Sequence, residues 1–214
     1  MDDDIRHIEV KLSEVAGCER RYEELLREKT VAIKESGFAE TELLLKLEEQ
    51  IATQKNLQKE IKEAVTAGSR ALSTVKSILS SLDSAEGWGT WDMFGGGLVS
   101  DLAKHSHLDE AQSKVLKLQG ELRRFKTELA DVTLQADMQV NVDGFLRFAD
   151  YFFDGLFADW AVMSKIKKSQ SSVTNTKSQI ESVLSKLQSM ETATEGEIGK
   201  LEGEKEVLVI KTVL

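Results

Sequence analysis

The chain has 214 residues, no proline, 30% charged residues and a formal net charge of −9. Proline punctuates turns and interrupts helices, so its absence excludes turn-rich and linker-rich folds and favours long helices. The acidic balance, with no more than two adjacent basic residues anywhere, argues against nucleic acid as a principal partner, because binding to the phosphate backbone requires clustered Lys and Arg.

The apolar content and the first residues predict a cytoplasmic protein. Residues 1–10 are acidic and lack the apolar segment of a secretory signal. No run of about 18 apolar residues is present that could span a bilayer. The single cysteine, Cys18, cannot form an internal disulfide, which fits a reducing compartment.

Residues 1–84 are predicted to form an N-terminal helical arm. Their apolar residues recur at spacings of three and four, which is the heptad pattern of a helix packed against another helix. The pattern comprises Ile5, Ile8, Leu12, Val15, Tyr22 and Leu26, then Leu44, Leu47, Ile51, Ile61 and Val65. Gly37 interrupts it, either as the residue that ends a helix or as a phase shift between two helical segments.

Residues 85–100 are predicted to form an ordered loop. Five of the eleven residues from Gly87 to Gly97 are glycines, and each would cost about 1 kcal/mol in a helix. The large apolar side chains between them need a place to pack, unlike the polar residues of a flexible linker. These candidate interaction residues are Trp88, Trp91, Met93 and Phe94. The run of three glycines could also hold an anion at a helix N-terminus, although a close chain crossing would explain it equally well.

Residues 101–140 are predicted to form a return helix. Its apolar residues keep the alternation of three and four over four heptads: Leu108, Ala111, Val115, Leu118, Leu122, Phe125, Leu129, Val132 and Ala136. Ser106 and Asp109 have the Ser-x-x-Asp spacing of a capping box, which predicts a helix start there.

Residues 141–214 are predicted to form an aromatic amphipathic helix that continues into a C-terminal arm. The aromatic part covers residues 145–160 and has a wide apolar face. The arm repeats an apolar or small residue every seven positions: Ile166, Val173, Ile180, Leu187, Thr194, Leu201 and Leu208. Such a repeat is typical of a helix that buries one narrow stripe.

These elements predict an all-α fold, an elongated antiparallel helical bundle or coiled coil in which the glycine- and aromatic-rich loop joins two long helices. The N-terminal arm is longer than the return helix, so part of its apolar stripe needs another partner. We expect that partner to be a protein, and the heptads make a second copy of the chain, in a homodimer or higher homo-oligomer, a reasonable candidate.

One cluster of residues could bind a metal ion. If residues 98–112 form a single helix, Asp101, His105 and Asp109 are spaced at i, i+4 and i+8 on one face, with His107 as a further ligand. The alternative is that Ser106 caps a new helix and Asp109 interacts with the helix dipole. No complete metal signature is present, so no cofactor is predicted and the capping interpretation is preferred.

The sequence contains no complete catalytic motif, and a non-enzymatic scaffold or interaction protein is the preferred functional hypothesis. The first alternative is a metal-binding protein or metal-dependent enzyme that uses Asp101, His105 and Asp109. The second is a peripheral membrane protein that uses residues 145–160. That segment carries Asp150, Asp154 and Asp159 against a single Arg147, whereas interfacial helices usually display Lys and Arg, so burial is preferred over membrane contact.

Overall fold

The computed structural model describes residues 2–15, 17–37, 39–92, 99–136 and 166–213. These residues form five helices: α1 (Asp2–Val15), α2 (Cys18–Ser36), α3 (Ala39–Asp92), α4 (Val99–Ala136) and α5 (Ile166–Lys211). The prediction of an all-α helical bundle is confirmed. None of the helices in these ranges is both long enough and apolar enough to cross a membrane.

The helices belong to two units. The first unit comprises residues 1–55 and 195–214, and the second comprises residues 56–194. Helix α3 contributes its first part to the first unit and the rest to the second, and α5 does so in the reverse order.

Two glycines with left-handed backbone divide the N-terminal arm into three helices. Gly37 (φ 69°) follows α2, as predicted for a residue that ends a helix, and α3 begins two residues later. The hydroxyls of Ser36 and Thr41 both donate to the Ile33 carbonyl, at 2.7 Å and 2.6 Å, and so add side-chain hydrogen bonds at the end of α2. Gly17 (φ 93°) separates α1 from α2, a break that the heptad pattern did not predict.

The first unit has a small core at the contact of three helices. Ile33 of α2, Leu44 of α3 and Val209 of α5 are buried together, and Leu26 and Leu208 pack against them. Because Leu44 and Val209 meet, and Glu48 meets Lys205 farther along, α3 and α5 are antiparallel in this unit.

Glu48 joins these three helices through both of its carboxylate oxygens. Oε2 lies 2.7 Å from the Lys34 ammonium on α2, and Oε1 lies 2.8 Å from the Lys205 ammonium on α5. Partial burial raises the pKa of Glu48, but the hydrogen bonds from Lys205 and Lys34 outweigh it, so the pKa lies below its ordinary value.

The second unit has a larger core, formed by one stripe from each of α3, α4 and α5. The stripe of α4 is the predicted one, and the buried residues of α5 include three of the predicted seven-residue repeat. The buried residues include Ile61, Ala64, Ala67, Ala71, Val75 and Ile78 of α3, Leu118, Leu122, Phe125, Leu129 and Val132 of α4, and Val173, Ile180, Val183, Leu184 and Leu187 of α5. Small residues on α3 therefore face large ones on α4.

At Gly68 the side chains of α4 and α5 come close to the backbone of α3. A Cβ atom built on Gly68 would lie 2.7 Å from Cζ of Phe125 and 2.9 Å from Cδ2 of Leu184, both closer than van der Waals contact allows. The Phe125 ring is fully buried, and side chains in a close-packed interior cannot move aside without displacing their neighbours. Residue 68 therefore has to be glycine for the ring to occupy its place.

Two predicted boundaries near residue 95 are wrong. Helix α3 extends through Asp92, so the predicted loop does not include residues 85–92. Gly87 and Gly89, two of the five glycines that predicted a loop, lie within the helix, and extending an existing helix is far less costly than nucleating one. Helix α4 begins at Val99, seven residues before Ser106, so the predicted capping box is not a helix start.

We predict that Gly68→Ala destabilises the protein, whereas Gly120→Ala stabilises it. Overpacking a buried site costs about 1 to 3 kcal/mol, and this exceeds the gain of about 1 kcal/mol in helix propensity. Gly120 lies in α4, and no atom lies within 4 Å of the position that a methyl group there would occupy, so its replacement yields the propensity gain alone. Urea unfolding monitored by circular dichroism measures the free energy of unfolding of both variants. Similar increases in this free energy in the two variants would contradict the close approach at Gly68.

We predict that Glu48→Gln lowers the free energy of unfolding by about 1 kcal/mol at pH 7, as expected for two partly exposed ion pairs. Because the folded pKa of Glu48 is depressed, its contribution is complete above the unfolded pKa of about 4.3 and is lost as the pH falls through the lower folded pKa. The difference between variant and wild type should therefore shrink below about pH 4.

The matched control is Glu63→Gln, which removes a carboxylate that pairs only loosely with Lys59, at 3.5 Å on an exposed helix face. Its expected effect is below about 0.5 kcal/mol at any pH. Equal losses in the two variants, or a Glu48→Gln loss that does not begin to shrink as the pH falls below about 4, would contradict this account of the ion pairs.

Candidate docking surface

The predicted metal ligands share one helix. Asp101, His105, His107 and Asp109 all lie in α4, which is continuous from Val99. Asp101, His105 and Asp109 are therefore at i, i+4 and i+8 of a single helix, and the alternative in which Ser106 starts a new helix is wrong. The side chains of these residues lie outside the described part of the structure, so the metal site stays a prediction.

The predicted aromatic interaction residues are divided by the end of α3. Trp88 and Trp91 belong to its last turns, although their side chains are outside the described part. Met93, Phe94 and residues 145–160 lie wholly outside the described residues. Their roles in docking or at a membrane stay predictions.

A group of three carboxylates lies between α3 and α4, at positions that the sequence pattern did not single out. Oxygens of Glu60 on α3 and of Glu128 and Asp131 on α4 lie within 4.8 Å of one another, and all three residues are half-buried. Such a set can offer oxygen ligands to a divalent cation. However, Lys59 lies 3.5 Å from Glu60 and Arg124 lies 3.4 Å from Glu128, so cations of the protein already offset part of this charge.

Helix α1 presents an apolar stripe that no other described residue covers. Its four members are Ile5, Ile8, Leu12 and Val15, with exposed fractions of 49%, 57%, 61% and 61%. They are spaced by three, four and three residues, so they lie along one side of the helix. The heptad pattern predicted these residues, but the expectation that they pack against another helix is not met by the described residues of a single copy. We call these four residues the α1 stripe.

An apolar groove lies between the first turns of α3 and the last turns of α5 in the same unit. It has a volume of about 740 Å³, and its floor is formed by Leu43, Leu47, Val207 and Leu208. Leu43 is 55% exposed and Val207 is 48% exposed, so the floor is open to solvent. Gly203 at one end has no side chain and leaves that end wide.

Both rims of the groove carry one acidic and one basic residue. Glu40 and Lys46 lie on the α3 side, and Glu204 and Lys211 lie on the α5 side. The shape, an apolar floor between two helices with charged edges, is the one that accepts a third amphipathic helix. The sequence pattern could not predict the groove because it depends on the register between segments about 160 residues apart.

Comparisons with protein-family models, with curated proteins and with solved structures find no match to this chain. The functional inference therefore depends on the geometry of the described residues.

Proposed function

We propose that this protein is a non-enzymatic helical scaffold that binds other protein chains through exposed apolar faces of its helices. The observation that carries the proposal is the α1 stripe. Four large aliphatic side chains in heptad register, each about half exposed or more, form a continuous apolar face on one helix. Exposed apolar residues are ordinary when scattered singly, but a contiguous face of this kind marks an interaction site.

The length of α1 supports the same function. At 14 residues it is about as short as a helix can be and still be marginally stable in water without packing. Covering its apolar face with a partner would supply the missing stabilisation. The glycine- and aromatic-rich segment, with Trp88, Trp91, Met93 and Phe94, is a second docking element in this proposal, supported by its composition.

Metal binding at Asp101, His105 and Asp109 is the second candidate function. Its support is the continuity of α4 from Val99, which gives the three residues the spacing of a one-face ligand set. The scaffold is preferred because the side chains of the α1 stripe are described and exposed, whereas those of the three proposed ligands lie outside the described part of the structure.

We predict that a photo-activated cross-linker replacing Leu12 in the full chain forms a protein adduct in cells. Leu12 lies in the middle of the stripe and is exposed, so the replacement should not disturb folding. The same cross-linker at Arg124, an exposed position on the polar side of α4, measures the background. Mass spectrometry of the adduct identifies the partner chain. Equal yields at the two positions, or none at position 12, would contradict the proposal.

A further inference from the structure

We propose that the α1 stripe of one copy of this chain docks in the apolar groove of a second copy, and that two copies exchange their α1 helices reciprocally. The inference rests on the proposed function, since it names the partner that covers the stripe. Its starting point is that one unit of the chain carries both an uncovered helix face and an open groove for a helix.

The stripe and the groove agree in length. Residues 5–15 of α1 span about 15 Å at 1.5 Å per residue, and residues 40–50, which form the α3 wall of the groove, span the same distance. The lining residues of the α3 wall also keep the heptad spacing, since Leu43, Leu47 and Gln50 are separated by four and three residues. A helix whose own apolar residues are spaced by three and four can place them between those of the two walls.

The charges beside the stripe complement the charges on the rims. Glu9 and Lys11 are exposed and flank the stripe on opposite edges, because each lies about 80° around the helix from its centre at 100° per residue. One edge of α1 is thus acidic and the other basic at this level. Each rim offers both a carboxylate and an ammonium. The acidic edge and the basic edge of α1 can therefore each meet an opposite charge, whether α1 runs parallel or antiparallel to α3.

A second copy fits these surfaces better than the other occupants. The chain's own α1 does not fill the groove, because the stripe and the floor are both exposed in one copy. A lipid surface is disfavoured because α1 carries five acidic residues, three of them at Asp2–Asp4, against Arg6 and Lys11. Reciprocal exchange around a two-fold axis covers both stripes and both grooves at once, and it closes the assembly at two copies.

The test is a complementation experiment in full-length protein, with sedimentation velocity as the readout. The stripe variant is Ile8→Glu with Leu12→Glu, and the groove variant is Leu43→Glu with Val207→Glu. All four positions are exposed in a single copy, so circular dichroism should show wild-type helicity. The control is Leu116→Glu, which changes an equally exposed leucine of α4.

We expect a wild-type dimer at micromolar concentration, unchanged in the Leu116→Glu control. Placing carboxylates in an apolar interface should weaken dimerisation by at least about a hundredfold in the stripe variant and in the groove variant. When the two variants are mixed, one intact stripe meets one intact groove. A heterodimer should therefore form at concentrations where each variant alone is monomeric, with an affinity between those of the variants and of the wild type.

Three results would overturn the inference. The first is that the wild-type protein stays monomeric up to about 100 μM, which is well above the range of a specific dimer. The second is that a dimer still forms in both the stripe variant and the groove variant. The third is that the mixture forms no heterodimer, which is the result expected if one stripe pairs with another stripe. If a groove variant loses helicity, Leu43→Gln with Val207→Gln tests the same surface without a new charge. A position-12 adduct with a different protein would overturn this inference and leave the proposed function intact, whereas the absence of any adduct would overturn both.

Discussion

The ring of Phe125 occupies the space that a side chain at position 68 would need, and the packing of the second unit depends on that contact. Gly68 lets the ring approach the backbone of α3 while the same ring lies near Leu184 of α5. The neighbouring Ala64, Ala67 and Ala71 keep this face of α3 narrow on either side of the glycine. The large residues of α4 can therefore be fully buried, which gives this unit a continuous three-helix core.

The first unit is constructed differently, and this difference explains why the candidate docking surface lies there. Among its described residues six apolar side chains are buried, Ile33, Leu44, Ile51, Ile198, Leu201 and Val209, against sixteen in the core cluster of the second unit. Polar contacts supplement this small core: Glu48 bridges Lys34 and Lys205, and Lys29 donates to the Ile210 carbonyl near the end of α5, at 2.8 Å. Much of the remaining apolar surface, including the α1 stripe and the groove floor, stays exposed. A unit with a small core and a large exposed apolar surface gains most from a partner.

Heptad spacing predicted the buried residues of the second unit well because the helices that meet there carry regularly spaced apolar residues. The stripe from Leu118 to Val132, and the repeat through Val173, Ile180 and Leu187, are buried as predicted. Gly37 was also predictable, since it interrupts the apolar pattern. Gly17 was missed because Val15 and Tyr22 are seven residues apart, so the heptad pattern continues across the break and conceals it.

The remaining errors and omissions have physical causes that a single sequence does not reveal. The Ser106–Asp109 pair resembles a capping box, but the helix has already begun at Val99, and a four-residue motif alone cannot show that. Two glycines near Trp88 were tolerated at the end of a helix of 54 residues. The carboxylate group of Glu60, Glu128 and Asp131 and the groove both depend on the register between separate helices. Spacing within one helix does not determine that register.

The most direct measurement of the central claim, that a second copy of the chain covers the α1 stripe, is hydrogen exchange of the full chain over a range of protein concentrations. We predict that residues 2–15 exchange rapidly in dilute protein and become protected as the concentration rises. The groove segments 40–50 and 203–212 should gain protection over the same range, while the core of the second unit, around Leu122 and Phe125, stays equally protected throughout. Rapid exchange of residues 2–15 at every concentration, or protection there without a change in the groove, would contradict the claim.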